Sequence, residues 1–99
     1  MTPRIVFRAQ AQAELLAARD WYDDRLPGLG AEFTRTVDAA VGAIAKFPEG
    51  FAKVYRDYRQ CALRRFPYSI IYHPSTEVIV VIAVFHQRRH PDAWRKRPA

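Results

Sequence analysis

The chain has a single cysteine in 99 residues, Cys61, and that scarcity removes several readings at once. An internal disulfide is impossible, and a thiolate zinc site has no second ligand. The usage fits a reducing compartment, most simply the cytoplasm. Glycine is sparse too, at four residues. Two of them sit in LPGLG at 26–30, but that stretch follows a helical pattern rather than a strand, so it reads as a turn and not as a phosphate cradle. No apolar run reaches membrane-spanning length. The longest, VIVVIAVF at 78–85, is too short to cross a bilayer as a helix, and MTPRIVFRAQ at the start has no stretch suited to a secretion signal. Repeats, linkers and low-complexity segments are also missing. The expectation is one soluble, cytoplasmic domain over residues 1–99, large enough for one hydrophobic core.

Acidic residues are scarce in one half only. Residues 1–50 carry six Lys/Arg against seven Asp/Glu, whereas residues 51–99 carry ten against three. The formal charge of +6 therefore belongs to the second half of the chain. A one-sided positive field points to a polyanion or an acidic protein partner.

What is present has a clear order. RIVFR at 4–8 alternates, with β-branched or aromatic residues inside, and predicts a short strand. From Ala9 the residues are strong helix formers, and Leu15, Ala18, Tyr22 and Leu26 recur at helical spacing with Asp20, Asp23 and Asp24 on the remaining arc. After the LPGLG break, Phe33, Val37, Ala40, Val41 and Ile44 form an apolar stripe that stops before Pro48. Residues 9–47 thus predict an antiparallel helical hairpin. CALRRF at 61–66, YSIIYH at 68–73 and EVIVVIAVFH at 77–86 predict three strands, the last two joined by a turn at HPSTE. The final strand is apolar at nearly every position, which suggests a central strand covered on both faces. PDAWRKR allows a short terminal helix, with Arg95, Lys96 and Arg97 as a solvated tail. The fold class is α+β in the order β-α-α-β-β-β(-α), with the hairpin packed on one face of a small, mostly antiparallel sheet.

These residues resemble a known family. WYDDRLPGLGAEF, an FP before the sheet, RRFPYSIIYH and VFHQRRHPDAW, in this order and spacing, are similar to the RelE/ParE superfamily of toxins from bacterial type II toxin–antitoxin (plasmid stabilisation) modules. The resemblance runs from about Arg4 to Trp94. It implies a basic toxin held by a cognate antitoxin with an acidic C-terminal segment, in a toxin–antitoxin hetero-oligomer. ParE-like members poison DNA gyrase, while RelE-like members cut ribosome-bound mRNA without a metal. RQCA before the sheet and VFHQ at its end are closer to the ParE-like pattern. No cofactor is implied.

A metal-free endoribonuclease needs a general base, a general acid and cations around the phosphate. If the RelE-like mechanism holds, His86 and Arg65 are the catalytic candidates. Arg59, Arg64, Arg88, Arg89 and Trp94 are candidates for contact with the target or the antitoxin, Trp94 alternatively pinning the terminal helix to the sheet. The chain departs from the RelE-like pattern in two places. Only Lys53 precedes Arg56 on the way into the sheet, and the late aromatic is Trp94, whose indole transfers no proton. His86 and His90 are four apart, but one lies on a strand and Pro91 follows the other, so no metal site is expected. Trp21, Tyr22, Tyr68 and Tyr72 read as packing residues.

Overall fold

The computed structural model describes residues 3–97. Strand β1 (Arg4–Phe7) leads into helices α1 (Ala9–Arg25) and α2 (Leu29–Lys46); strands β2 (Lys53–Tyr55), β3 (Tyr58–Ala62), β4 (Tyr68–His73) and β5 (Val78–His86) follow, and one helical turn, α3 (Asp92–Arg95), comes last. The sheet order is β1-β5-β4-β3-β2, antiparallel except for the parallel β1–β5 pair. This is the expected α+β class with the hairpin on one face.

The hairpin closes on two glycines and an aspartate. Gly28 sits at φ +93°, a left-handed conformation that glycine adopts without a Cβ clash. At Gly30 an added Cβ would lie 2.6 Å from the Arg19 carbonyl oxygen, so only glycine lets the helices approach this closely. Asp23 Oδ1 accepts the Gly28 and Gly30 amides at 2.9 and 3.2 Å, which satisfies donors at the start of α2. Asp23, placed by its spacing on the solvent arc of α1, is thus the clasp of the turn. Leu26, assigned to the apolar stripe of α1, instead falls at the helix end and is exposed.

The stripe of α2 behaves as its spacing predicts. Phe33, Val37, Ala40 and Ile44 are buried and pack with Ile70, Tyr72, Ile79, Val81 and Val84 of the sheet. Tyr22, Phe33, Phe66 and Tyr68 form an aromatic cluster with ring centroids 4.9–6.2 Å apart. The opposite face is covered over part of its area by Trp94, 2% exposed, against Tyr55, Tyr58 and Phe85. Strand β5 is therefore covered on both sides, as its unbroken apolar run suggested.

Two strand boundaries differ from the sequence reading. The strand expected at 61–66 lies at Tyr58–Ala62, because Arg65 adopts φ +66° and residues 63–67 make the turn into β4. The three residues of β2 were not expected; they form a tight hairpin with β3 through Arg56 at φ +51°. Tyr72 lies inside the core, and its hydroxyl donates to the Pro48 carbonyl at 2.7 Å.

Burial, the largest influence, pushes the Tyr72 phenol up to about 12, with Arg59 opposing. A phenol raised from its ordinary value near 10 contributes stability that is fully present below pH ~10 and is lost between ~10 and ~12, where the unfolded chain ionises first. Alkaline titration of unfolding is expected to show this loss in the parent and a shallower fall, of order 2 kcal/mol less, in Tyr72→Phe. Identical slopes would contradict the assignment.

Candidate partner-binding surface

A β-bulge decides which way His86 points. Ile71 pairs with Ala83 and Tyr72 with Val81, so Ile82 is an extra residue in β5. Ile82 and Ala83 both pack on the face away from the helices, while Val81 and Val84 pack beneath them. The extra residue reverses the alternation, and His86, two positions after Val84, lands on the helix side. There it lines a cleft of about 610 Å³ with Glu14, Ala18, Trp21, Tyr68 and Arg89. Its ring meets Tyr68 edge-on at 5.0 Å, and its Nδ1 accepts the Arg88 amide at 3.1 Å. That bond leaves Nε2 as the nitrogen that carries the hydrogen in the neutral ring.

The register gathers the basic residues around this end of the sheet. Tyr68 pairs with His86 and Ala62 with Ser69, so the β3–β4 turn carrying Arg64 and Arg65 emerges beside the segment carrying Arg88 and Arg89. Arg65 approaches Glu32 of α2 at 3.6 Å. Arg64 and Arg88 have no ion-pair partner among the described residues, and both are exposed. Gln87 ties the segment down through Nε2 donating to the Tyr68 carbonyl and Ser69 Oγ, each at 3.3 Å.

Two of the candidate residues lie elsewhere. Arg59 pairs with Tyr72 at the far end of the sheet, and its guanidinium donates to the carbonyls of Glu49 and Phe51 at 3.1 and 2.6 Å. It braces the segment leading from α2 into β2. Trp94 is packed within the chain, which matches its reading as the residue pinning the terminal helix.

Glu14 is the site residue that the sequence reading left out. Its carboxylate takes two bonds from Arg97 at 2.8 Å each, accepts the Val84 amide at 3.2 Å and stands 3.7 Å from Arg89. Arg97 also donates to the Ile82 carbonyl at 3.2 Å. Parallel pairing with β1 ends at Val81, so these two side chains satisfy backbone groups of β5 on the side that β1 no longer covers. Hydrogen bonding to Glu14, followed by a smaller opposing effect of burial, holds the Arg97 pKa above its ordinary value. Arg97 is therefore no solvated tail: its side chain is 14% exposed and that of Glu14 17%. The available signal was periodicity, since Glu14 shares a helix face with Ala11 and Ala18, both buried. Trp21 also differs from its packing assignment. It is 49% exposed at the rim of the cleft, with the Arg25 guanidinium 3.5 Å from its ring centroid.

Chemically, the surface offers exposed cations, an aromatic-walled cleft and one histidine. Among the described residues no cluster of three His, Cys, Asp or Glu side chains could hold a metal ion, and no helix is long and apolar enough to cross a membrane. Such a surface suits an anionic macromolecule.

Comparison with known proteins gives the family. The family model "ParE toxin of type II toxin-antitoxin system, parDE" matches residues 5–91. The protein "Toxin ParE2" of Mycobacterium tuberculosis, in strains CDC 1551 / Oshkosh and ATCC 25618 / H37Rv, is 31% identical over 94 residues, covering 94% of this chain and 90% of the relative. A chain from the structure "Chromosomal ParDE TA system from P. aeruginosa" superposes with a TM-score of 0.75 at 17% identity, over 86% of this chain and 96% of the other, a likeness of fold. With the family model spanning most of the domain and this relative spanning nearly all of it, the chain belongs to the ParE toxin family of type II toxin–antitoxin systems.

Proposed function

We propose that the protein arrests growth by binding an essential target, DNA gyrase before others, and that a cognate antitoxin neutralises it by laying an acidic C-terminal segment over its basic end. The family match over residues 5–91 carries the reading. The arrangement of the arginines supports binding rather than RNA cleavage. Arg59 is committed to carbonyls at the far end of the sheet, and the His86 nitrogen Nδ1 already accepts a backbone amide. Exposed cations such as Arg64 and Arg88 suit fast association with an acidic partner.

Inducing the protein alone in a bacterial host tests this. The expected outcome is growth arrest with DNA breaks and an SOS response, intact messages, and toxicity retained in His86→Ala. Cleaved messages that disappear in a folded His86→Ala variant would instead establish a ribosome-dependent mRNA endonuclease. Normal growth would overturn both.

A further inference from the structure

The cleft beside His86 is walled by rings. On the helix side Glu14, Ala17, Ala18 and Trp21 line it at i, i+3, i+4 and i+7, one face of α1. The two alanines leave room between α1 and the ends of β4 and β5. Tyr68 and His86 supply the sheet-side wall, ring against ring at 5.0 Å. Trp21 stands at the rim, 49% exposed, with the Arg25 guanidinium stacked on it. A volume of about 610 Å³ is that of a site for a small planar ligand and its substituents.

Charge selects what enters. The carboxylate in the lining is Glu14, and Arg97 engages both of its oxygens at 2.8 Å, which neutralises it. Arg89 then adds a free cation. Its amide donates to the His86 carbonyl at 3.0 Å, a tight turn that brings its half-exposed side chain back to the cleft. Aromatic walls beside an arginine suit a base carrying a phosphate, since the ring stacks while the cation meets the anion. A small inorganic anion would leave the walls unused. Arg64 and Arg88 are exposed at the same end of the sheet, outside the cleft, where the phosphates on either side of that nucleotide would run. A nucleotide within a strand therefore uses more of this surface than a free one. In a duplex the base would first have to leave its stack, whereas a single strand offers it directly.

We propose that the cleft holds one unpaired nucleotide of a DNA strand, its base stacked among Trp21, Tyr68 and His86, its phosphate on Arg89 and the neighbouring phosphates on Arg64 and Arg88. This rests on the proposed action on gyrase, an enzyme that works on DNA, and makes the DNA itself part of what the toxin touches.

Titration of the full chain with single-stranded oligothymidylate is the test, read by tryptophan fluorescence and by anisotropy of a labelled strand. Quenching is expected in the parent and is expected to vanish in Trp21→Ala, where the remaining indole, Trp94, is buried. Trp21→Ala should bind roughly tenfold more weakly and Trp21→Phe near the parent. The logarithm of affinity should fall against that of salt with a slope of roughly −2, as for about three phosphates, and Arg89→Gln should flatten it by ~0.7. Equal affinity for polyglutamate would overturn the proposal, because charge alone would then suffice. Thymidine monophosphate bound as tightly as the strand would overturn the strand, and tighter binding of the matching RNA or of duplex DNA would overturn unpaired DNA. Growth arrest with DNA breaks but no binding of the oligonucleotide would sink this site and leave the gyrase reading standing. Normal growth would sink the gyrase reading, while the titration still decides the cleft.

Discussion

Replacing Phe33 by alanine is expected to cost about 4 kcal/mol of folding stability, the upper range for a fully buried aromatic. Phe33 has no solvent exposure, and its ring lies 5.2–5.4 Å from those of Tyr22, Phe66 and Tyr68. The substitution leaves a hole at the junction of both helices and the β3–β4 turn, and three aromatic neighbours lose an edge or a face to pack against. In a domain of this size the midpoint of thermal unfolding should fall by roughly 20 °C. The turn that presents Arg64 and Arg65 is anchored through Phe66, so the basic end should loosen before the rest unfolds. Phe47→Ala is the matched control. Phe47 is 64% exposed, and its loss is expected to stay within about 0.5 kcal/mol. Chemical denaturation of the two variants beside the parent measures both values, and equal losses would refute this account of the core.

The second large effect belongs to Glu14. Glu14→Ala leaves the Arg97 guanidinium without its carboxylate, the Val84 amide without an acceptor and Arg89 without its only carboxylate within 4 Å among the described residues. About 3 kcal/mol is the expected loss, near the lower limit for a broken buried pair because some solvent reaches both groups. The double variant Glu14→Ala/Arg97→Ala should lose about 2 kcal/mol less than the sum of the single losses, since each single change already removes the pair. Arg97→Lys should recover little, as an ammonium cannot make the paired bonds of the guanidinium fork. Additive losses across this cycle would show that the pair contributes nothing of its own.

The parts of the fold visible in the sequence were those where one physical signal dominates. Apolar spacing from Phe33 to Ile44 gave α2, LPGLG gave the turn, and the unbroken run in β5 gave a strand buried on both faces. The departures have local causes. RRF looks like strand by composition, yet Arg65 turns left-handed and ends it. KVY is too short and too charged to register as a strand alone, and it needs β3 beside it.

The site was legible as a charge imbalance and not as a geometry. A single bulged residue, Ile82, sets the face on which His86 stands, and nothing in VIVVIAVF marks it. Glu14 and Arg97 meet across 83 positions, a distance no periodicity spans. Arg59 looks like its neighbours in sequence, and only its carbonyl partners separate it from Arg64 and Arg88.

The parallel pairing of β1 with β5 also has a consequence in time. Phe7 and Val81 are neighbours in the sheet but 74 positions apart in the chain. At ~5–20 residues per second of synthesis, β1 waits roughly 4–15 s for its partner to be made. Arg97, which closes the basic end on Glu14, emerges later still. The helical hairpin can form early from local contacts, whereas the surface built on β5 is among the last features a nascent copy acquires. A growing chain on the ribosome therefore holds its helical hairpin for some seconds before its basic end can take shape.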